Sequence, residues 1–338
     1  MTTLRRLTLA LIALAALAAP LAACGEKQDA IGPDGTVEFE LMLDFFPNAD
    51  HAGIYAAQAG GRFRQAGLDV EIRQPADPAA PIKQVAAGRV DLAISYTPEV
   101  LRARDEGLAV VAVAALVREP LSSIISLPQA GIRSPRDLAG KTVGTAGIDY
   151  QSAYLRTILE QAGVDPGRVK ERNVGFALSP ALLTKRVDAT LGGFWNYEGV
   201  DLRLRGRDPR VIRVDDAGVP SYDELVIVAN EDALERDGAR IRSFVAALAR
   251  GTQDLRKSPG EAVSGLLDAN EDLEPELQRA AVKQTLPLFL PAQGKPFGHL
   301  DGERWQKFTA WMNDNDLLEN TPDATGAFTN EYLPGGGL

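Results

Sequence analysis

Apolar and polar positions alternate along this chain in two rhythms. The run VEFELML (37–43) has the period of two expected of a strand with one buried face. It is followed by a helical pattern near 51–66, then LDVEI (68–72), a helix near 79–87, VDLAIS (90–95), a helix near 98–105 and AVVAVAALV (109–117). Short apolar strands alternating with helices predict α/β structure with parallel-rich sheets. DFFPNADHAGIYAA (44–57) departs from the pattern. An acid, two phenylalanines, a proline and an asparagine fill the turn after the first strand, where water rather than core is the usual neighbour. A turn rich in aromatic residues at a strand tip suits the lining of a cleft.

The first half recurs in the second. QAGLD (65–69) returns as QAGVD (161–165), and GRVDLAIS (88–95) as KRVDATLG (185–192), at offsets of 96 and 97 residues. Two matches in one order and at one spacing predict a pair of similar lobes. Beyond the second element of each copy stand YTPE (96–99) and FWNYEG (194–199), again at strand tips. YDELVIVAN (222–230) reads as a returning strand. Helices near 238–257, 259–269, 274–286 and 301–315 follow, interrupted by a Pro- and Gly-rich break at 287–298. The division expected is a first lobe over 37–120, a second over 121–222, and a return to the first over 223–338. The crossings fall near 118–122 and 218–228.

Length and charge narrow the picture. MTTLRRLTLALIALAALAAPLAAC opens with two arginines, a short apolar run and LAAC (21–24), whose cysteine is the only one in the sequence. Too short for a membrane span, this has the order of a lipoprotein signal over 1–23, with Cys24 as the lipidated mature N-terminus. A soluble secreted protein with an incidental cysteine is the alternative. GEKQDAIGPDGT (25–36) reads as part of a flexible tether over 24–36. Without Arg5 and Arg6, 34 Lys and Arg face 46 Asp and Glu, a balance that disfavours nucleic acid and polybasic membrane contacts.

Enzyme signatures are absent. GKT (140–142) lacks the first glycine of a phosphate-binding loop, where Pro135 stands, and His51 and His299 have no metal-ligand spacing. No nucleophile elbow occurs. The aromatic loops carry the candidate chemistry. Trp195 is either a plug in the lobe interface or a plate for a flat ligand, with Asn196 and Glu198 bonding the ligand's edge. A π face beside a carboxylate suits a planar heterocycle bearing amino groups. Tyr96 and Tyr222 belong either to the same cleft or to the packing. Asp44 and Asn48 are either ligand contacts or caps of the following helix, and His51 is a polar contact.

DFFPNADHAGIYAA, DLAGKTVGTAG (137–147), DATLGGFWNYEG (188–199) and TNEYLP (329–334) together resemble the thiamine-pyrimidine-precursor family of type II periplasmic binding proteins, related to the pyrimidine synthase of thiamine biosynthesis. The resemblance covers about 37–335. It implies a two-lobed fold with two hinge crossings and an extracytoplasmic, membrane-anchored lipoprotein, monomeric, that needs no cofactor and delivers its ligand to the permease of an ABC importer. By the family's motifs, Asp44, Phe45, Asn48, His51, Tyr55, Trp195, Asn196 and Glu198 become ligand contacts, with Tyr96 and Tyr222 beside them. Phe45 replaces the family's usual tryptophan. The implied ligand is a formylaminopyrimidine or hydroxymethylpyrimidine. Riboflavin, or an anion such as a sulfonate or nitrate, is the alternative within the fold, and the synthase the alternative outside binding.

Overall fold

The computed structural model describes residues 35–320 and 323–335. The signal, LAAC and Cys24 lie outside the described residues. The first run of elements is β1 (Val37–Met42), α1 (Ala52–Ala59), α2 (Arg62–Gln65), β2 (Leu68–Arg73), α3 (Pro81–Ala86), β3 (Leu92–Ser95), α4 (Thr97–Asp105) and β4 (Val110–Val117). The second is β5 (Ser122–Ser126), β6 (Thr142–Thr145), α5 (Asp149–Gln161), β7 (Lys170–Asn173), α6 (Leu178–Leu183), β8 (Ala189–Phe194), α7 (Glu198–Leu204) and β9 (Arg210–Arg213). The chain then enters β10 (Leu225–Asn230), α8 (Glu231–Lys257), α9 (Pro259–Ala269), α10 (Pro275–Phe289) and α11 (Gly302–Asp314). The single helix expected near 51–66 is broken at Gly60–Gly61, where Gly61 takes a left-handed backbone.

Two five-stranded sheets result, in the orders β2-β1-β3-β10-β4 and β7-β6-β8-β5-β9. β1 pairs in parallel with β2 and β3, while β10 runs against β3 and β4. In the second sheet β6 pairs in parallel with β7 and β8, and β5 runs against β8 and β9. The sheets are therefore mixed, each with one reversed strand that has just crossed from the other side. The repeated sequences sit at matching places. QAGLD runs into β2 and QAGVD precedes β7, an edge strand of each sheet, and the Arg-Val-Asp turns lead into β3 and β8. This is the α/β, two-lobed architecture of periplasmic binding proteins.

Local sequence explains the elements. In β1, Phe39 and Leu41 face the core while Glu38 is exposed, and the register pairs Val37 with Leu68 and Met42 with Arg73. β4 stands at a sheet edge, yet all eight of its residues are buried. The tail covers it: Ala115 N–H donates to Gly298 O at 2.8 Å, and Thr329 N–H to Ala112 O at 2.8 Å. α8 begins where the Asn230 side chain accepts from Asp232 N–H at 2.9 Å. It crosses α1 at Gly251, where a Cβ would lie 2.5 Å from that of Ala57. Only a glycine permits that approach.

The crossings are tied together by Glu224. Its carboxylate accepts from Leu121 N–H at 2.6 Å, from Ser122 N–H and Oγ–H at 2.8 Å each, and from Tyr222 O–H at 3.0 Å. α11 braces the same region, Arg304 donating to Arg118 O and Trp305 Nε1–H to Asp223 Oδ2 at 3.0 Å. No helix among the described residues is long and apolar enough to cross a membrane.

Candidate functional site

The cleft opens where the strands of both sheets end, the usual ligand edge of α/β sheets. One wall comes from the turn after β1, with Asp44, Phe45, Asn48, Asp50 and His51, and from Tyr96 after β3. The facing wall comes from Ala146, Tyr150 and Gln151 after β6 and from Phe194, Tyr197 and Glu198 around the tip of β8. With the side chains of both walls in place, little free space remains between them, and the cleft is narrow. Its rings meet across the gap. Phe45 stands edge-on to Phe176 with centroids 4.8 Å apart, Phe46 to Tyr197 at 5.9 Å, and Tyr96 lies 5.5 Å from Tyr150. The lobes are thus closed on one another through aromatic contacts.

Beneath the rings is a buried polar chain. Asn48 caps the short turn that follows it, its Oδ1 accepting from Asp50 N–H at 2.8 Å, and its own N–H donates to His51 Nδ1 at 3.2 Å. Since Nδ1 accepts, Nε2 carries the proton and donates to Asp44 Oδ1 at 2.9 Å. Tyr96 O–H donates to Asp44 Oδ2 at 2.6 Å. Burial, helped by the Asp44 charge, holds the Tyr96 phenol well above its ordinary pKa, so it remains a donor. Both oxygens of Asp44 are therefore engaged by the protein.

Two further carboxyls behave differently. Glu198 folds back on its own helix start and accepts from Phe194 N–H at 2.7 Å, yet burial pushes its pKa up to about 8. Asp50 accepts at Oδ1 from Asn196 Nδ2–H at 2.7 Å and from Thr285 Oγ1–H at 3.1 Å, and burial raises it to about 6. Behind Tyr96, Glu99 accepts from Ser95 Oγ–H at 2.5 Å and is raised to about 7, again by burial. The cleft is acidic in composition, but near neutrality Glu198 is largely uncharged.

Of the residues expected at the site, Asp44, Phe45, Asn48, His51, Tyr96 and Glu198 line the cleft. Asn196 lies immediately behind the wall, bonding Asp50 and, at 2.6 Å, Thr285. Three others do not line it. Trp195 turns toward the crossings: its Nε1–H donates to Pro120 O at 3.1 Å, and the Arg213 guanidinium sits 5.3 Å from its ring centroid. Tyr222 is fully buried, bonded to Glu224 and packed 4.8 Å from the Phe308 ring. Tyr55 faces a separate hollow beside Gln58 and Asn270. Asp50, Tyr150, Gln151, Phe176 and Tyr197 join the site without having been singled out by their place in the chain. The repeat held a signal for two of them, since GIDYQSAY (147–154) follows β6 as the opening loop follows β1. Gly192 matters for backbone reasons: its φ is +89°, and a Cβ there would strike the Gln151 amide.

Comparisons with known proteins agree with this architecture. The formylaminopyrimidine-binding protein of Halalkalibacterium halodurans is 36% identical over 313 residues, covering 92% of this chain and 94% of the relative. The 4-amino-5-hydroxymethyl-2-methylpyrimidine phosphate synthase of Legionella pneumophila is 25% identical over 297 residues, covering 87% and 92%. Among solved structures, the alkanesulfonate-binding protein SsuA from Xanthomonas axonopodis pv. citri bound to MOPS superposes with a TM-score of 0.67 at 17% identity, over 86% of this chain and 98% of that one. That likeness speaks for the fold alone. The model of the family described as NMT1/THI5 like matches residues 48–262, and with the extent of the curated similarity it follows that the chain belongs to the NMT1/THI5-like family.

Proposed function

We propose that the chain is the extracytoplasmic solute-binding component of an ABC importer and that it closes over a small planar aminoheterocycle. The ligand is a thiamine pyrimidine precursor of the formylaminopyrimidine or hydroxymethylpyrimidine type. The observation that carries this reading is Glu198 set among aromatic walls. Raised to about 8, it is largely the acid near neutrality and offers an O–H donor beside a carbonyl acceptor. An aminopyrimidine presents the converse pair, a ring nitrogen beside an exocyclic N–H. Phe45, Phe194 and Tyr96 supply faces and edges for the ring. Among the described residues that line the cleft there is no arginine or lysine, so an oxyanion finds no cation there and meets the Asp44 carboxylate instead.

Likeness to a formylaminopyrimidine-binding protein supports the ligand class, and likeness to periplasmic binding proteins supports the importer context. The chain is read as a carrier rather than a synthase. Beyond β3 it has Tyr-Thr-Pro-Glu with no histidine, and the cysteine-rich loop of the synthase branch is missing, Cys24 being the sole cysteine. Cys24 carries the lipid that holds a monomeric protein at the outer face of the membrane. Thermal unfolding with added ligands tests the assignment. Either pyrimidine should raise the melting temperature, while riboflavin, taurine and nitrate leave it unchanged. A shift with riboflavin alone overturns the ligand, and a shift with an anion alone overturns the reasoning from cleft charge.

A further inference from the structure

Asp50 is 1% exposed, sits on the cleft wall and uses only one of its oxygens. Oδ1 accepts from Asn196, on the loop after β8, and from Thr285, on α10. These bonds join the loop after β1 to the opposite lobe and to the C-terminal helices. Oδ2 has no donor among the described residues, although the group is buried. A buried carboxylate oxygen without a donor costs far more than an exposed one, so such atoms in folded proteins call for a partner. The partner must be a hydrogen donor. It must also be in place as the lobes close, because Oδ2 is inaccessible once Asn196 has met Asp50 across the gap.

We propose that Asp50 is a specificity-determining ligand contact as well as the lock between the lobes: Oδ1 holds Asn196 and Thr285, and Oδ2 accepts an N–H from the ligand's exocyclic amine. This rests on the aminoheterocycle reading above. An amine at Oδ2 fixes the carboxylate plane and thereby aims Oδ1 at Asn196, so recognition and closure become one event. A ligand with a carbonyl in place of the amine sets oxygen against oxygen and leaves the lock loose.

Asp50→Asn separates the two roles, since it retains an acceptor for Asn196 but replaces the free oxygen with an amide donor. Calorimetric titrations would use 4-amino-5-hydroxymethyl-2-methylpyrimidine and its 4-oxo counterpart as probes, on the wild type, Asp50→Asn, Asp50→Ser and Asn196→Ala. The expected result is at least a ten-fold loss for the amino probe in Asp50→Asn, with affinity for the oxo probe held or increased. Asn196→Ala should weaken both probes by the same factor. Should Asp50→Asn fail to fold, Asp50→Ser, which lacks the carboxylate, must still narrow the wild-type preference for the amino probe. Equal losses for both probes in the Asp50 variants overturn the ligand contact and leave Asp50 a lock alone. If the wild type binds neither probe, the functional reading itself fails and takes the proposal with it, an outcome visible before any variant is compared.

Discussion

Glu198 and Trp195 illustrate how neighbours decide what a side chain does. Glu198 sits in the cleft as a buried acid raised to about 8. Its donor is lost once it ionises, so affinity for an aminopyrimidine should fall as pH rises past that value, measured by titration between neutral and alkaline buffer. Glu198→Gln keeps a donor beside an acceptor and should bind within a few-fold of wild type. Glu198→Leu removes both, and about 1.5–3 kcal/mol, or roughly ten- to a hundred-fold in Kd, should go with them. Trp195 has the opposite fate. Packed under Arg213 and bonded to Pro120 O, it lies against the crossings and off the cleft wall. Trp195→Ala should cost about 2–3 kcal/mol of stability in urea unfolding while changing Kd little. A large affinity loss at unchanged stability would return it to the ligand.

At the scale of elements, the contact of α8 with α1 depends on the absence of a side chain. Gly251→Ala would set a Cβ 2.5 Å from Ala57 Cβ and 2.6 Å from both Ala57 N and Gly53 O. Much of that obstruction is backbone, so the helices must part, at about 1–3 kcal/mol. Gly260, in the first turn of α9, faces open space: a methyl group added there would meet nothing within 4 Å. Gly260→Ala should therefore be neutral or stabilise by up to about 1 kcal/mol. Equal effects of the two in chemical denaturation would refute close packing as the reason for Gly251.

For the molecule as a whole, buried acids set the response to pH. Burial raises Asp50 and Asp223 to about 6, Glu99 and Glu224 to about 7 and Glu198 to about 8. A carboxyl with a folded pKa above its unfolded one binds more protons folded than unfolded in the interval between. Its stabilising contribution is complete below the unfolded pKa and is lost as pH rises through the folded one. Asp137, Asp301 and Asp323, held below their ordinary values by hydrogen bonds, act in the opposite sense only in more acidic solution. The ligand-free melting temperature should therefore fall by about 5 °C or more between pH 5 and pH 8.5, as read by calorimetry. A rise over that interval would mean that these carboxyls are ionised in the folded protein without penalty.

Much of the architecture was legible in the residues alone. Period two in VEFELML, the fully apolar AVVAVAALV and the paired Arg-Val-Asp turns each determine a local state through backbone geometry and burial, which act over a few residues. The turn after β1 was recognisable as cleft lining because its aromatic content is at odds with an ordinary turn, and the capping role open to Asn48 rested on its own short side chain. The directions of Trp195, Tyr222 and Tyr55 were not legible, nor was the place of Asp50 and Tyr150 on the cleft wall. A side chain in a loop at a strand tip turns toward whatever the rest of the fold brings near it. For Trp195 that is Pro120 and Arg213, for Asp50 it is Asn196 and Thr285, 146 and 235 residues away in the chain. Local periodicity carries no information about such partners. Tertiary structure chose them, because only the folded lobes bring residues so far apart in the chain within reach of one another.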